Sequence, residues 1–474
     1  MDTIALLSHD SPTAVIAYRA GVPVSAEHFL SDVRRLAENL PAGIHVLNVC
    51  ADRYRFTVGL AACLITGRIS LLPSTHTPGV IAQLADFAPD AFCLTDDPRC
   101  EIALPQIQYP HEPPTHAGAP LDGTPLGAPP GAPLGGAPPP GAATAWAVPR
   151  IPVTQLAAIV FTSGSTGTPL PYKKTWGRLA RCVRDGAPRL GLADGRSHAL
   201  IGTVPAQHMY GFESTVLLGL VSGNAFSAER PFYPADIAAA VAAVPQPRAL
   251  VTTPVHLRTL LAADIELPPL DLIVSATAPL ARDLAREVEA KFHTILMEIY
   301  GSTETGQIAV RRTADTAAWR LWPDVRLKFS DGQVFAHGGH VEQLTTLCDV
   351  IEMCGDDEFM LHGRTVDLVN VAGKRSSFGY LNAQLMSIPG VIDGVFFLRD
   401  GATGATGVAR LGAVVVAPGL SAAALTEQLR RRIDPVFLPR PLIIVERLPR
   451  NATGKLPHQA LQLLTDRHLQ TNAS

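Results

Sequence analysis

The chain lacks an excess of charge of either sign. Its 39 Lys and Arg against 42 Asp and Glu leave a net charge of −3, so no electrostatic argument favours nucleic acid or an anionic membrane as partner. No apolar run is long enough to span a bilayer, and stable membrane insertion is not expected. Residues 1–20 have no basic start and carry Asp2, His9 and Asp10, so they are not expected to be a signal peptide. The seven cysteines (Cys50, Cys63, Cys93, Cys100, Cys182, Cys348 and Cys354) contain no Cys-x-x-Cys pair. An odd, scattered set argues for reduced thiols and a cytoplasmic protein, against a disulfide framework or zinc. His337-Gly338-Gly339-His340 has no further ligands close by and reads as a loop.

What is present is length and apolar content. The 474 residues, 47% of them hydrophobic, suffice for a large domain and a smaller one. Residues 27–40 place Phe29, Val33, Leu36 and Leu40 at helical spacing. Residues 44–50, 67–72 and 91–94 read as strands, and 56–65 and 80–87 as helices. This alternation implies a parallel sheet with right-handed crossovers. Further strands are expected at 156–161, 201–205, 249–253, 272–275 and 294–299, with a helix at 282–292. Lys173 and Lys174 stand at the start of a helix reaching 183. Residues 112–145 repeat Gly-Ala-Pro and offer almost nothing to bury, so they read as a flexible surface insertion. Residues 325–359 are β-rich. Residues 364–474 alternate a hairpin, helices at 378–387 and 422–433, and strands at 394–398, 413–417 and 442–446.

The stretch Phe161-Thr162-Ser163-Gly164-Ser165-Thr166-Gly167-Thr168-Pro169 follows one of these strands. Glycines allow close backbone approach, successive N–H groups make a concavity for anions, and hydroxyls add donors. A polyphosphate is the natural ligand. A Walker loop would need Lys-Ser/Thr after the last glycine, and Thr168-Pro169 stands there instead. By composition alone, the stretch reads better as a Ser/Gly surface loop.

Three later stretches follow in order: Tyr300-Gly301-Ser302-Thr303-Glu304, Gly363-Arg364 running on to Val371-Ala372-Gly373-Lys374, and Leu448-Pro449-Arg450-Asn451-Ala452-Thr453-Gly454-Lys455. Together with the phosphate loop they resemble the adenylate-forming superfamily, which includes acyl-CoA synthetases, aryl-CoA ligases, fatty acyl-AMP ligases and adenylation domains. The resemblance covers the chain beyond about its first forty residues. It implies an α/β fold: a large N-terminal domain of parallel sheets with helices and a β-rich part (1–363), and a small mobile α+β C-terminal domain (364–474). It also implies ATP and Mg²⁺ as cofactors.

The resemblance assigns roles residue by residue. Thr162, Ser163, Gly164, Ser165, Thr166 and Gly167 would hold the β- and γ-phosphates. The family's lysine after the loop proline is Leu170 here, so Lys173 or Lys174 is expected to supply that charge, unless both are solvated. Tyr300 would stack on adenine, Thr303 would lie beside the α-phosphate, and Glu304 would hold Mg²⁺, a hard cation suited to oxygen ligands. Alone, that stretch reads as a turn and a helix cap. Asp349 would bind the ribose hydroxyls, with Asp356 as rival, and Arg364 the ribose or phosphate. Val366 and Asp367 stand at the hinge. His208, in Gln207-His208-Met209-Tyr210-Gly211, and Ser275-Ala276 would line the acyl pocket, though His208 reads equally as a structural histidine. Gly373 would pass a phosphopantetheine arm, and Lys455 would be the adenylation lysine, which alone would read as an exposed turn lysine.

The implied reaction is activation of a carboxylic acid to an acyl-adenylate and transfer to a thiol, on CoA or acyl carrier protein. The pattern looks most like the short acyl-CoA synthetases of bacterial aryl polyene and fatty-acid-like pathways, which implies an aryl or acyl acid of 4-hydroxybenzoate or cinnamate type. A ligase that stops at acyl-AMP, an amino-acid-activating enzyme and a non-catalytic nucleotide- or acyl-binding relative stay open.

Overall fold

Hydrophobic periodicity and caps set the local elements. In the computed structural model the helix Ala26–Asn39 buries Phe29, Leu30, Val33 and Leu36, and Ser25 caps it by accepting the His28 N–H at 3.2 Å. Asp52 caps the helix Arg53–Ile65 in the same way, each cap satisfying a backbone donor the helix cannot. The second helix is buried nearly all round, as a helix between two sheets must be. The structure describes residues 2–73, 75–110, 146–163, 169–263, 265–364, 368–371, 374–398, 411–451, 454 and 456–471. The 112–145 insertion lies outside them.

Two large sheets carry the fold. The first orders its strands Pro169–Thr175, Leu156–Ser163, Ile69–Leu72, His45–Asn48, Phe92–Thr95 and Gln106–Gln108. All neighbours are parallel except the first pair. The second has eleven strands. Its centre is the parallel set Ile295–Ser302, Leu272–Ser275, Arg248–Thr252, Ala199–Gly202, Ala225–Ser227 and Val15–Arg19. One flank continues antiparallel through Gly306–Arg311, Trp319–Leu321, Glu358–Arg364 and Asp349–Met353. The expected alternation and the helix Arg282–Phe292 are present. Val15–Arg19 was not expected: this N-terminal strand pairs in parallel with Ala225–Ser227, a contact no local pattern announces.

One expectation and one alternative need correction. Lys173 and Lys174 do not open a helix. They lie in the strand Pro169–Thr175, which returns antiparallel along Leu156–Ser163, and the helix begins only at Trp176, capped by Thr175. Pairing with an adjacent buried strand overrides the helical reading. Tyr300 to Glu304 does not lead into a helix either. Tyr300, Gly301 and Ser302 end a strand, residues 303–305 turn, and Gly306–Arg311 returns beside it.

Beyond the second sheet, Arg326–Ser330, Gln333–Gly338 and Val341–Leu347 form an antiparallel meander. The last part holds the strands Leu368–Val371 with Lys374–Ser377, then Asp393–Leu398, Leu411–Val416 and Leu442–Ile444, and the helices Phe378–Met386, Ala422–Arg430 and His458–Thr471. Leu381, Leu385, Phe396, Leu425 and Phe437 pack there in a core of their own. The final helix was not expected. No helix among the described residues is long and apolar enough to cross a membrane.

Candidate active site

In a parallel sheet, ligand groups gather beyond the carboxyl ends of the strands. Three candidate segments, and Thr253 beside them, end up at that edge of the second sheet. Ser275 ends Leu272–Ser275, Thr253 follows Arg248–Thr252, His208 lies beyond Ala199–Gly202, and Tyr300 is near the end of Ile295–Ser302.

The Tyr300 corner is the better defined. The strand bulges between Tyr300 and Gly301, which re-aims the side chains at its end. A Cβ at Gly301 would stand 2.2 Å from the Gly306 carbonyl oxygen, so only glycine lets the two hairpin arms approach this closely. The turn is fastened by Ser302 and Thr305, whose hydroxyls lie 3.1 Å apart. Thr303 and Glu304 stand half-buried at its tip.

Tyr300 donates its hydroxyl to Asp349 Oδ2 at 2.6 Å. Its ring packs against Trp319 and Phe359, at centroid distances of 5.5 and 5.6 Å. The Arg311 guanidinium covers the Trp319 ring at 4.2 Å and bonds the buried Glu298 carboxylate at 2.7 Å. Asp349, not its rival Asp356, therefore faces Tyr300. Asp356 lies in the turn between Asp349–Met353 and Glu358–Arg364. The Arg364 backbone pairs with Asp349. Trp319, Arg311 and Glu298 carry no motif, and sequence reading passed over them.

The His208 corner is held by backbone. His208 Nδ1 accepts the Tyr210 N–H at 3.3 Å and caps the short helix Met209–Gly211. A π-helical turn, Phe212–Leu217, follows at once. The Tyr210 hydroxyl donates to the Val274 carbonyl at 2.9 Å, tying this loop to the strand that ends in Ser275. Ser275 is fully buried and its hydroxyl has no partner among the described residues. Ala276 is buried beside it. Thr277 has φ +77°, an uncommon backbone state for a β-branched residue.

Two buried ionisable side chains stand behind the Glu304 hairpin. Lys174 is only 3% exposed and donates to the Glu304 carbonyl at 2.9 Å. The solvated-lysine alternative holds for Lys173 and fails for Lys174, since alternation along the strand exposes the first and buries the second. Burial pushes the Lys174 ammonium down to about 8, against the pull of the Glu213 carboxylate. Burial pushes Glu213 up to about 7, opposed by Lys174. Buried His340 is pushed down to about 3, first by burial and then by the Lys174 and Arg178 charges.

Thr162 and Ser163 end the strand Leu156–Ser163, and the loop's return begins at Pro169. Gly164, Ser165, Thr166, Gly167, Gly373, Val366, Asp367 and Lys455 lie outside the described residues. Gly454 is described and buried. A Cβ there would lie 3.5 Å from Val255 Cγ2 and 3.8 Å from Thr253 Oγ1, so the C-terminal loop rests on the carboxyl edge of the second sheet. Arg450 anchors that loop by donating to both Asp393 oxygens, at 2.6 and 2.7 Å, and to the Gly454 carbonyl at 2.9 Å. A cleft of about 930 Å³ lies instead at the amino ends of the strands, among Arg282, Arg286, Glu289 and Arg312. Arg312 is paired with Glu289 and Asp315 there.

No group of three or more His, Cys, Asp and Glu side chains able to hold a metal occurs among the described residues. A lone half-buried carboxylate at Glu304 fits Mg²⁺, which keeps waters and takes phosphate oxygens for most of its shell.

Comparison with known proteins identifies the family. The model of the AMP-binding enzyme family matches residues 4–333. The match starts earlier than the motifs indicated, where Val15–Arg19 joins the central sheet. A 4-coumarate–CoA ligase of Rhodobacter capsulatus is 33% identical over 277 residues, 58% of this chain and 67% of that protein. One of Halorhodospira halophila is 28% identical over 304 residues, 62% and 73% of the two chains. Among solved structures, o-succinylbenzoate CoA synthetase from Bacillus subtilis, in complex with its acyl-adenylate, superposes with a TM-score of 0.77 at 17% identity, covering 98% of this chain and 99% of that one. ATP-bound MatB from Rhodopseudomonas palustris gives 0.76 at 18%, covering 96% and 97%. The chain belongs to the AMP-binding enzymes, the adenylate-forming ligase superfamily.

Proposed function

We propose that this protein is a cytoplasmic ligase that uses ATP and Mg²⁺ to activate an aryl carboxylic acid of the cinnamate type and passes the acyl group to the thiol of CoA. An acyl carrier protein is the alternative acceptor. The observation that carries the reading is the Tyr300–Asp349 hydrogen bond of 2.6 Å. It joins the residue expected under adenine to the one expected at the ribose, four positions from Glu304. The names of the relatives support the acid class and CoA.

In this reading a carboxylate oxygen attacks the α-phosphorus of ATP, the bond to pyrophosphate breaks, and acyl-AMP forms. The thiol sulfur then attacks the acyl carbon, loses its proton, and AMP departs. Such chemistry is mostly positioning and charge neutralisation. Thr162, Ser163 and the loop Gly164, Ser165, Thr166, Gly167 hold the outer phosphates, and Thr303 and Arg364 act nearer the α-phosphate and ribose. Glu304 carries the Mg²⁺, which when bound neutralises phosphate charge. His208 and Ala276 border the acyl group, with Ser275 supporting from beneath. Lys455 meets the charge that develops between carboxylate and α-phosphate. Residues 364–474 form a mobile domain that removes Lys455 and brings Gly373 to the thiol arm. The separate core around Leu381 and Phe396 supports that division.

The test is acid-dependent ATP–pyrophosphate exchange across hydroxycinnamic, benzoic, fatty and amino acids. Exchange with aromatic acids that collapses in Lys455→Ala is the expected result. Exchange with amino acids alone, or none with any acid from folded ATP-binding protein, would overturn it.

A further inference from the structure

Lys174 is an expensive residue to bury. An ammonium taken out of water loses its hydration and must be compensated. Its own strand offers water one position earlier, at exposed Lys173. Lys174 instead points inward and donates to the Glu304 carbonyl at 2.9 Å.

The groups around it converge on the same hairpin. Glu213 is 2% exposed, in the π-helical turn Phe212–Leu217. A Cβ on Gly306 would stand 2.7 Å from Glu213 Oε1, and Gly306 has φ +77°, so the hairpin's return arm is seated directly on this carboxylate. Cys182 Sγ lies 3.5 Å from Glu213 Oε1 and 3.5 Å from the Gln307 carbonyl oxygen. Gln307 Nε2 donates to Ser214 Oγ at 2.8 Å. Residues 304, 306 and 307 are thus each held from behind by one buried cluster, while the Glu304 side chain stands at the tip.

We propose that buried Lys174, which holds the Glu304 carbonyl, and buried Glu213, which seats the return arm at Gly306, position Glu304 for the cation that accompanies ATP. The inference rests on Glu304 being the Mg²⁺ carboxylate in the proposed function. Lys174 and Glu213 are positioning residues that touch neither nucleotide nor metal. Well-packed apolar side chains would stabilise this spot at least as well. A charge-assisted hydrogen bond supplies what they lack, a fixed distance and direction to one carbonyl.

The experiment compares wild type, Glu304→Gln, Lys174→Met and the double variant Lys174→Met/Glu213→Gln. The double variant keeps side-chain volume and leaves no buried charge unpaired, so it is expected to melt within a few degrees of wild type. Two quantities are read: the Mg²⁺ concentration for half-maximal pyrophosphate exchange, and ATP affinity by calorimetry with and without Mg²⁺. Lys174→Met and the double variant should both raise the Mg²⁺ requirement about tenfold, with kcat largely restored at saturating Mg²⁺. Their Mg²⁺-free ATP affinity should be unchanged and the gain in affinity on adding Mg²⁺ lost. A double variant with a normal Mg²⁺ requirement, while Glu304→Gln shows a raised one, would overturn this inference alone. A Glu304→Gln variant whose ATP affinity responds to Mg²⁺ as wild type does would overturn it together with the role given to Glu304.

Discussion

The Tyr300 corner and the His208 corner occupy the same sheet edge but are built differently. Around Tyr300, side chains hold side chains: Tyr300 on Asp349, Arg311 on Glu298 and over Trp319. Around His208, backbone does the holding: a three-residue helix, a π-helical turn, a hydroxyl on the Val274 carbonyl and a threonine at positive φ. The contrast fits the division of labour in the proposed reaction. A nucleotide is constant and can be met by a fixed network, whereas an acyl pocket is shaped by the path of the chain. One residue joins the two corners. Glu298 accepts the Leu280 N–H at 3.0 Å, three residues past Thr277, and Arg311 and the Thr313 hydroxyl (2.7 Å) on the Tyr300 side.

The largest effect is expected where neither corner acts, at Lys455. Lys455→Ala should lower pyrophosphate exchange by about two to three orders of magnitude, as loss of a preorganised charge donor does, with ATP binding retained by calorimetry. Next is the joint between the corners. Glu298→Gln leaves the Arg311 guanidinium without its anion, and urea unfolding should show a loss of about 3–5 kcal/mol. If the loss is below about 1 kcal/mol, the corners are independent.

A pH effect is expected beside the acyl corner. Burial pushes His256 down to about 4, and its Nδ1 lies 2.8 Å from Thr253 Oγ1. Below pH 6.5 the unfolded chain takes up a proton that the folded one refuses, so stability falls with pH until about 4. At pH 5 the cost is about 2 kcal/mol. His256→Gln should flatten the fall in Tm between pH 7 and 5. An unchanged slope would place the acid sensitivity elsewhere, with His340 the next residue to test.

Two smaller effects sharpen the contrast. Tyr300→Phe removes one hydrogen bond to a carboxylate, worth about 1.5–3 kcal/mol, and should raise KM for ATP by about tenfold while leaving acid selectivity alone. Thr277→Gly relieves the strain of positive φ, about 1 kcal/mol or more, partly offset by the entropy of an added glycine. It should raise Tm slightly and shift the preference among acids without changing KM for ATP. If the Tyr300 variant changes acid preference, or the Thr277 variant changes ATP affinity, the two corners are not separable.

Much of this was legible in the chain. The four motifs in order named the superfamily, and hydrophobic alternation found the parallel strands and the helix Arg282–Phe292. Of the two candidate aspartates, Asp349 is the one that Tyr300 bonds. The helix assigned to Lys173 and Lys174 was not right, because a basic pair before an amphipathic helix looks like its first turn. Glu298, Arg311 and Trp319 gave no signal, since a buried ion pair and a stacked ring look in sequence like any other charged and aromatic residues.

The sequence by itself determined the kind of chemistry, because that depends on which residue types follow which glycines, and such order survives without coordinates. Only the tertiary structure decided which of two adjacent lysines is buried. A strand presents successive side chains to opposite faces, so the answer depends on what covers each face. Here the cover for Lys174 is a hairpin 130 residues away, and Tyr300 meets Asp349 across 49 residues. Contacts at such separations are set by how the sheets pair, and no local pattern encodes that.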